Sequence, residues 1–287
     1  MTEISVIIPA FNRAHTLARA LDSVLAQNHP VIEIIVVDDG SSDDTLELLE
    51  HGYPQVTVIL QDNKGVSAAR NAGIKAASGD WIALLDSDDE WLPGKLEAQV
   101  RTLQAQADIR LCHSDEIWMR NGRRVNPMRK HQKIGGWIYQ QCLPLCVISP
   151  SSTLIHQSVF NECGLFDESL PACEDYDMWL RICSQIPVAY VDEKLIKKYG
   201  GHDDQLSQRY WGMDRFRVQA LQKILEAGKL TDEYRLATTE MLLYKTRILI
   251  NGAKKRGNSE MVEYYQVMLD KYEYSQPDNM THNSQAA

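Results

Sequence analysis

Residues 81–89 read Trp81-Ile82-Ala83-Leu84-Leu85-Asp86-Ser87-Asp88-Asp89, an apolar run that ends in a cluster of carboxylates. The apolar part has the length and composition of a buried strand. Acids crowded at the end of such a strand repel one another and lose hydration, so a positive group should compensate them. We expect a hard divalent cation that holds a phosphorylated ligand, because oxygen ligands suit Mg²⁺ or Mn²⁺ rather than zinc. The plainer alternative is a solvated turn that caps a helix.

Further strand–turn–helix units surround this stretch. Residues 4–8, 32–37 and 56–60 are predicted strands, and stretches with helical spacing follow them. This alternation over short loops predicts a largely parallel sheet with helices on both faces. Ligands bind such sheets beyond the carboxyl ends of the strands. Residues 9–12, 38–39, 62 and 86–89 should therefore share one rim.

Length and composition set broad limits on the protein. A chain of 287 residues predicts one catalytic domain plus an appendage. The net charge of −9 argues against nucleic acid as the main partner. No signal peptide is apparent, and no apolar stretch approaches the ~20 residues of a membrane-spanning helix, so we expect a cytoplasmic protein. The six cysteines form no CxxC pair and are expected to be reduced thiols.

The chain changes character near residue 205. Residues 1–205 carry the strand–helix pattern, whereas residues 206–274 are helical in period and predict an all-α appendage. Residues 275–287 are polar and expected to be disordered. The helical region either packs on its own catalytic domain or provides a homo-oligomer contact, and the sequence does not choose between the two.

Two motifs suggest contacts to a nucleotide. Asp39 lies in a polar turn after the second strand, where it either caps a helix or accepts a hydrogen bond from a nucleobase imide N–H. Lys64 and Arg70 flank a glycine turn and a helix, where they are either solvated charges or ligands of a diphosphate. The chain has no GxGxxG and no GxxxxGK[ST], which disfavours a dinucleotide-binding fold and a P-loop.

Two further motifs suggest catalytic or metal-binding roles. Glu174 and Asp175 begin a predicted helix, where acids are favoured by the helix dipole but can also act as a general base for a hydroxyl. His202 lies in a glycine loop, either as an ordinary polar residue or as a contact to metal or diphosphate.

Taken in order, these segments resemble the family 2 glycosyltransferases, which have the nucleotide-sugar-binding GT-A fold. The resemblance covers about residues 3–207 and excludes the helical tail. It rests on six motifs: Ser5-Val6-Ile7-Ile8-Pro9-Ala10-Phe11-Asn12-Arg13, Val36-Val37-Asp38-Asp39-Gly40-Ser41, Lys64-Gly65 with Ala69-Arg70-Asn71, Leu85-Asp86-Ser87-Asp88-Asp89, Phe166-Asp167-Glu168, and Glu174-Asp175 with Trp179-Leu180. The resemblance implies an α/β fold with a mixed sheet flanked by helices.

The resemblance also implies a role for each candidate residue. Asp39 reads the base, most often uracil, and Asp175 of the Glu174–Asp175 pair is the catalytic base. The implied nucleotide-sugar contacts are Pro9, Phe11, Asn12, Arg13, Asp39, Lys64, Arg70, Asp86 and Ser87. The implied Mn²⁺ or Mg²⁺ ligands are Asp88, Asp86, Asp89 and His202, with Asp88 on the metal and Asp86 near the ribose.

The expected function is a metal-dependent, inverting glycosyltransferase. It would move sugar from a UDP-sugar, or another nucleotide sugar, to a hydroxyl of a glycan or glycoconjugate. A sugar nucleotidyltransferase is one alternative, but residues 9–13 lack the glycine-rich basic loop that such an enzyme needs after its first strand. A catalytically silent nucleotide-sugar-binding module is the other alternative.

Overall fold

The computed structural model describes residues 2–106, 108–201 and 210–274. Within them a nine-stranded sheet forms the centre of the molecule. Its strands are β1 (Ile4–Ala10), β2 (Glu33–Asp38), β3 (Thr57–Leu60), β4 (Trp81–Leu84), β5 (Glu90–Trp91), β6 (Leu111–Arg120), β7 (Arg123–Val125), β8 (Thr153–His156) and β9 (Ala189–Gly200). The order is β3-β2-β1-β4-β8-β6-β9-β5, and β7 pairs with β6 beside this path.

The sheet is parallel in its first half and mixed in its second. Strand β1 pairs in parallel with β2 and β4, and β2 pairs in parallel with β3. Strand β8 runs antiparallel to both β4 and β6, whereas β6 and β9 are parallel. The predicted mixed sheet is therefore confirmed, and the carboxyl ends of β1, β2 and β4 meet at one rim.

Alternate residues of the central strands belong to two different hydrophobic cores, one on each face of the sheet, because successive side chains point to opposite faces. The register pairs Ile7 with Leu84, and both belong to one core. It also pairs Val6 with Ala83, and both belong to the other. A strand buried on both faces is apolar throughout, which explains why β1 and β4 read as continuous hydrophobic runs.

Helices cover both faces. They are α1 (Leu17–Leu25), α2 (Thr45–Gly52), α3 (Val66–Ala76), α4 (Lys95–Gln104), α5 (Tyr139–Cys142), α6 (Gln157–Cys163), α7 (Glu174–Cys183), α8 (Asp214–Glu226), α9 (Asp232–Lys255) and α10 (Ser259–Tyr274). Helix α3 lies unusually close to β1, since a Cβ added at Gly73 would collide with Cγ2 of Ile7. This close approach sets the position of Arg70 at the rim. No helix in the described segments is long and apolar enough to cross a bilayer.

The C-terminal helices pack on the sheet-containing part of the same chain. Leu221 of α8 and Leu242 of α9 belong to the same core as Trp179 of α7. The Tyr139 and Thr238 hydroxyl oxygens lie 2.6 Å apart, which joins α5 to α9. Intrachain packing is thus the observed arrangement, and an oligomer contact through these helices stays a prediction. The expected boundary at residues 205–206 and the expected disorder of residues 275–287 lie outside the described residues.

Candidate active site

The Asp39 carboxylate organises the turn that leads into α3. Its Oδ1 accepts hydrogen bonds from Gln61 Nε2 at 2.7 Å and from the Lys64 backbone N–H at 2.8 Å. Its Oδ2 accepts one from the Gly65 backbone N–H at 2.8 Å. A carboxylate has about four acceptor sites, so Oδ2 retains one for a ligand. Asp39 is 4% exposed, so its carboxylate is largely withdrawn from solvent.

The loop after β1 is tied to the turn after β2. The Asn12 Oδ1 accepts from the Ser42 backbone N–H at 2.8 Å, and the Asn12 backbone N–H donates to Ser41 Oγ at 2.8 Å. The Arg13 backbone N–H donates to Thr45 Oγ1 at 2.8 Å. Phe11, the residue before Asn12, is 39% exposed. The loop therefore presents an aromatic side chain at the same rim as Asp39.

Arg70 joins two acidic motifs that are far apart in the sequence. Its Nη2 lies 2.6 Å from Asp86 Oδ1, and its Nη1 lies 2.7 Å from Glu174 Oε1. The guanidinium is buried, and its centre lies 5.2 Å from the middle of the Phe166 ring. The planar fork of arginine presents its donors in fixed directions, so one guanidinium can hold two carboxylates in a defined geometry. Arg70 thereby brings the carboxylate cluster after β4 and the start of α7 into one cleft.

The four residues after β4 divide between structural and accessible roles. Asp89 is buried, with Oδ2 accepting from Ser151 Oγ at 2.6 Å and Oδ1 from the Tyr199 backbone N–H at 3.0 Å. Burial, and then the negative charges of Asp88 and Asp86, raise the pKa of Asp89 well above its usual range. Ser87 is buried as well. Asp86 and Asp88 are partly exposed.

Lys198 of β9 is a site residue that the sequence analysis missed. Its Nζ lies 3.2 Å from Ser149 Oγ. Burial would lower the pKa of Lys198, but four surrounding carboxylates outweigh it and raise the pKa above the usual range; they are Glu116, Asp89, Asp86 and Asp175. The sequence feature that could have revealed Lys198 is the pair Lys197-Lys198: adjacent strand residues point to opposite faces, so one of the two lysines must face the interior. Lys197 bonds to Glu90 at 2.8 Å, and Lys198 turns to the acid cluster instead.

The two acids at the start of α7 have different surroundings. Glu174 is buried against Arg70, and burial followed by the charge of Asp175 raises its pKa. Asp175 is partly exposed, and its Oδ2 accepts only the weak thiol donor of Cys146, with Sγ at 3.1 Å. Asp175 is therefore the acid of this pair that is freer to take a proton from a bound molecule.

The donor set suits a hard cation, although a complete site is not formed by the described residues. In that part of the chain no group of three or more His, Cys, Asp or Glu side chains is arranged to hold a metal ion. His202, the predicted fourth ligand, lies outside the described residues. Asp86 and Asp88 nevertheless offer carboxylate oxygens beside Asp89, whose pKa is raised first by burial and then by their negative charges. Oxygen donors with excess negative charge fit Mg²⁺ or Mn²⁺.

Two solved structures share this architecture. TarS residues 1–349 of S. aureus, crystallised with UDP-GlcNAc, matches with a TM-score of 0.67 and 19% identity over 85% of this chain and 71% of TarS. The mannosyltransferase PcManGT of Pyrobaculum calidifontis, in complex with GDP-Man and Mn²⁺, matches with a TM-score of 0.61 and 16% identity over 95% of this chain and 84% of PcManGT. These likenesses confirm the predicted GT-A fold.

Sequence comparison gives the family. A relative from Escherichia coli, UDP-Glc:α-D-GlcNAc-diphosphoundecaprenol β-1,3-glucosyltransferase WfgD, is 33% identical over 181 residues, which cover 62% of this chain and 69% of WfgD. The chain spans between 31% and 65% of the length of the Rickettsia glycosyltransferases it matches at 32–33% identity. The family model described as glycosyl transferase family 2 matches residues 5–164, which is more than half of the chain. The predicted family is confirmed by this match: the chain belongs to glycosyl transferase family 2.

Proposed function

We propose that this protein is a metal-dependent, inverting glycosyltransferase that moves a sugar from a UDP-sugar to a hydroxyl of a glycan or glycoconjugate. The observation that carries the proposal is the double ion pair of Arg70, which holds Asp86 and Glu174 in one cleft. A glycosyl transfer needs a site for the donor diphosphate next to a base for the acceptor, and these two acids mark the two sites.

The nucleotide would bind at the Asp39 end of the cleft. The unused acceptor site of Asp39 Oδ2 can take the imide N–H of uracil, and Phe11 provides an apolar surface beside it. The crystal structures of TarS with UDP-GlcNAc and with UDP support a uridine nucleotide. GDP-Man in PcManGT supports a guanosine nucleotide as the competing donor.

Asp86 and Asp88 would hold the Mn²⁺ or Mg²⁺ ion, with Asp89 behind them and His202 as a further predicted ligand. The bound ion would offset the charge of the diphosphate leaving group. Asp89 supports Asp88 by fixing the backbone, since its N–H donates to the Asp86 carbonyl at 3.0 Å. Lys198 limits the repulsion among these carboxylates while the donor is absent.

Asp175 would act as the general base. A carboxylate within hydrogen-bond reach of the acceptor hydroxyl can remove its proton as the oxygen attacks the anomeric carbon. Glu174 is already paired with Arg70, so a single base remains, as a one-step inverting displacement requires. Asp175 contacts Cys146, which belongs to the irregular stretch of residues 137–152. We expect the acceptor contacts to come from this stretch. The diphosphoundecaprenol-linked acceptor named for WfgD supports a glycoconjugate acceptor here.

The proposal is tested by screening UDP-, GDP- and dTDP-sugars for hydrolysis with Mn²⁺, with Mg²⁺ and with EDTA. We expect nucleotide release from a UDP-sugar that needs the metal. Calorimetry with UDP provides the second readout. Tight UDP binding without hydrolysis or transfer would instead identify a silent binding module. Absence of both binding and turnover with every nucleotide sugar would refute the proposal.

A further inference from the structure

The chain is acidic overall, but it contains one strongly basic segment. Residues 117–161 contain no Asp or Glu, although the chain as a whole has net charge −9. Five of their cationic residues lie within residues 120–130, here called the basic arm: Arg120, Arg123, Arg124, Arg129 and Lys130. All five are exposed. Such segregation of charge marks a surface that meets a polyanionic partner.

The basic arm has an ordered start. Strands β6 and β7 are joined by the two-residue turn Asn121-Gly122, with φ of 49° and 73°. This Asn-Gly pair suits a tight hairpin, because both residues tolerate positive φ. At the other end, the ring of Trp118 contacts the ring of His131 edge-on, with 4.9 Å between their centres.

The cationic side chains of the basic arm do not pair with other side chains in the described part of the chain. None of the five side chains forms an ion pair or a hydrogen bond with another described residue. The hairpin register moreover places Arg120 directly opposite Arg123. Like charges in directly opposite positions destabilise a hairpin. A local conflict that folding does not need is typical of a functional surface.

Apolar side chains accompany these charges. Met128, between the two groups of cations, is 61% exposed, and Trp137 further along is 59% exposed. Binding of a soluble polyanion would not require exposed Met and Trp side chains. Cations mixed with exposed apolar and Trp side chains are instead typical of segments that lie in the interface of an anionic bilayer.

The basic arm also adjoins the candidate active site. Asn121 and Gly122 line a cavity of about 230 Å³ together with Arg19 and Asp88. Because the arm and the accessible carboxylate of the cleft share this cavity, a surface that binds the arm would lie next to the mouth of the cleft.

We propose that the basic arm docks this protein on the surface of an anionic lipid bilayer, with Met128 inserted among the headgroups. Charge complementarity selects this partner, and it also sets the orientation, since the acidic remainder of the chain is repelled by the same surface. The proposal does not depend on glycosyl transfer, because docking requires neither donor nor metal.

The test is flotation of the full-length protein with phosphatidylcholine vesicles, with and without phosphatidylglycerol, at low ionic strength. Each arm cation should contribute about fivefold to partitioning onto anionic vesicles. The variant Arg123→Gln/Arg124→Gln/Arg129→Gln/Lys130→Gln should therefore lose binding by more than a hundredfold. The matched control removes four exposed lysines elsewhere and should bind like the wild type; it is Lys75→Gln/Lys229→Gln/Lys254→Gln/Lys255→Gln. Met128→Ser should weaken binding several-fold at unchanged charge.

Thermal melting of each variant shows that loss of binding is not loss of folding. Equal losses in the arm variant and the lysine control would overturn the proposal, because binding would then follow total charge alone. Failure of the wild type to float with anionic vesicles would overturn it as well. If Met128→Ser binds unchanged and soluble polyphosphate displaces the wild type from vesicles, the arm serves a soluble polyanion and the lipid assignment is wrong.

Discussion

At the scale of single residues, neighbouring acids have different roles because their surroundings differ. Glu174 and Asp175 are adjacent, yet Glu174 is buried against Arg70, while Asp175 is partly exposed and accepts hydrogen bonds from the Tyr176 backbone N–H and the Cys146 thiol. Asp88 and Asp89 are likewise adjacent, yet Asp89 accepts two internal hydrogen bonds and Asp88 is partly exposed. Hydrogen-bond partners and burial, rather than residue type, decide which carboxylate is available to a ligand.

The first prediction concerns the base. Asp175→Asn should lower kcat by about 10²–10⁴-fold, since an amide cannot accept the acceptor hydroxyl proton. The KM for the donor should change little, because Asp175 is placed on the acceptor side. Nucleotide release in a transfer assay measures both. Asp270→Asn, at an exposed site on α10, is the control and should match the wild type. A kcat within a factor of three of wild type in Asp175→Asn would exclude this residue as the base.

The second prediction concerns His113, which is buried in β6. Burial and the charge of Lys133 lower its pKa to about 3, whereas the unfolded chain has a histidine pKa near 6.5. The unfolded state therefore binds a proton that the folded state does not. The stability that this neutral histidine contributes is complete above pH 6.5 and is lost as the pH falls toward 3, at about 1.4 kcal/mol per pH unit.

Urea unfolding at pH 7, 6, 5 and 4 checks this sign. The free energy of unfolding of the His113→Gln variant should fall less steeply with decreasing pH than that of the wild type. His51→Gln, at an exposed position of α2, should keep the wild-type slope. Identical slopes for His113→Gln and the wild type would show that His113 is not the group responsible.

At the scale of elements, the close contact of α3 with β1 positions the rim. Glycine at position 73 lets the helix approach Ile7, and Arg70 lies one turn earlier on the same helix. The carboxylate of Asp39 fixes the start of α3 through the backbone of residues 64 and 65. Two contacts, one at each end of the same stretch, therefore determine where the Arg70 guanidinium lies.

The third prediction follows from this contact. Gly73→Ala should destabilise the fold by about 1–3 kcal/mol, because the added methyl overlaps Ile7 in a packed core. Gly52→Ala at the end of α2 is the control, since its new methyl would make only an ordinary contact with Leu48. Denaturant midpoints at constant m-value measure the difference. Equal midpoints for the two variants would contradict the tight packing of α3 on β1.

At the scale of the whole molecule, the C-terminal helices share a hydrophobic core with the sheet and α7. The buried Lys245 of α9 donates a hydrogen bond to the Pro144 carbonyl at 2.8 Å. Pro144 lies two residues before Cys146, whose thiol contacts Asp175. Helix α8 packs on α7, whose first turn carries the proposed base. The helical region thus packs against α7 and against the stretch of residues 137–152, from which we propose acceptor contacts.

The fourth prediction is that this region unfolds together with the sheet. Leu242→Ala removes a fully buried side chain and should cost about 2–5 kcal/mol, in a single transition seen by both calorimetry and circular dichroism. Leu236→Ala, 50% exposed on the same helix, should cost far less. A separate early transition in Leu242→Ala would show instead an independently folding appendage.

The sequence by itself determined the first three parallel strands, β4, the helices between them and the rim, because apolar periodicity and the rule for parallel strands are local or topological. It located Asp39, Asp86 and Asp88 at strand ends and predicted helices for the C-terminal part of the chain, but it did not predict β5, β6, β7 or β9. Only the tertiary structure decided which of these acids pair with buried cations and which remain exposed. Arg70 meets Glu174 across 104 positions, Lys198 turns to the acids while Lys197 turns away, and Asp89 points inward. These outcomes depend on burial and on charges brought together from distant strands, and spacing along the chain carries no record of either.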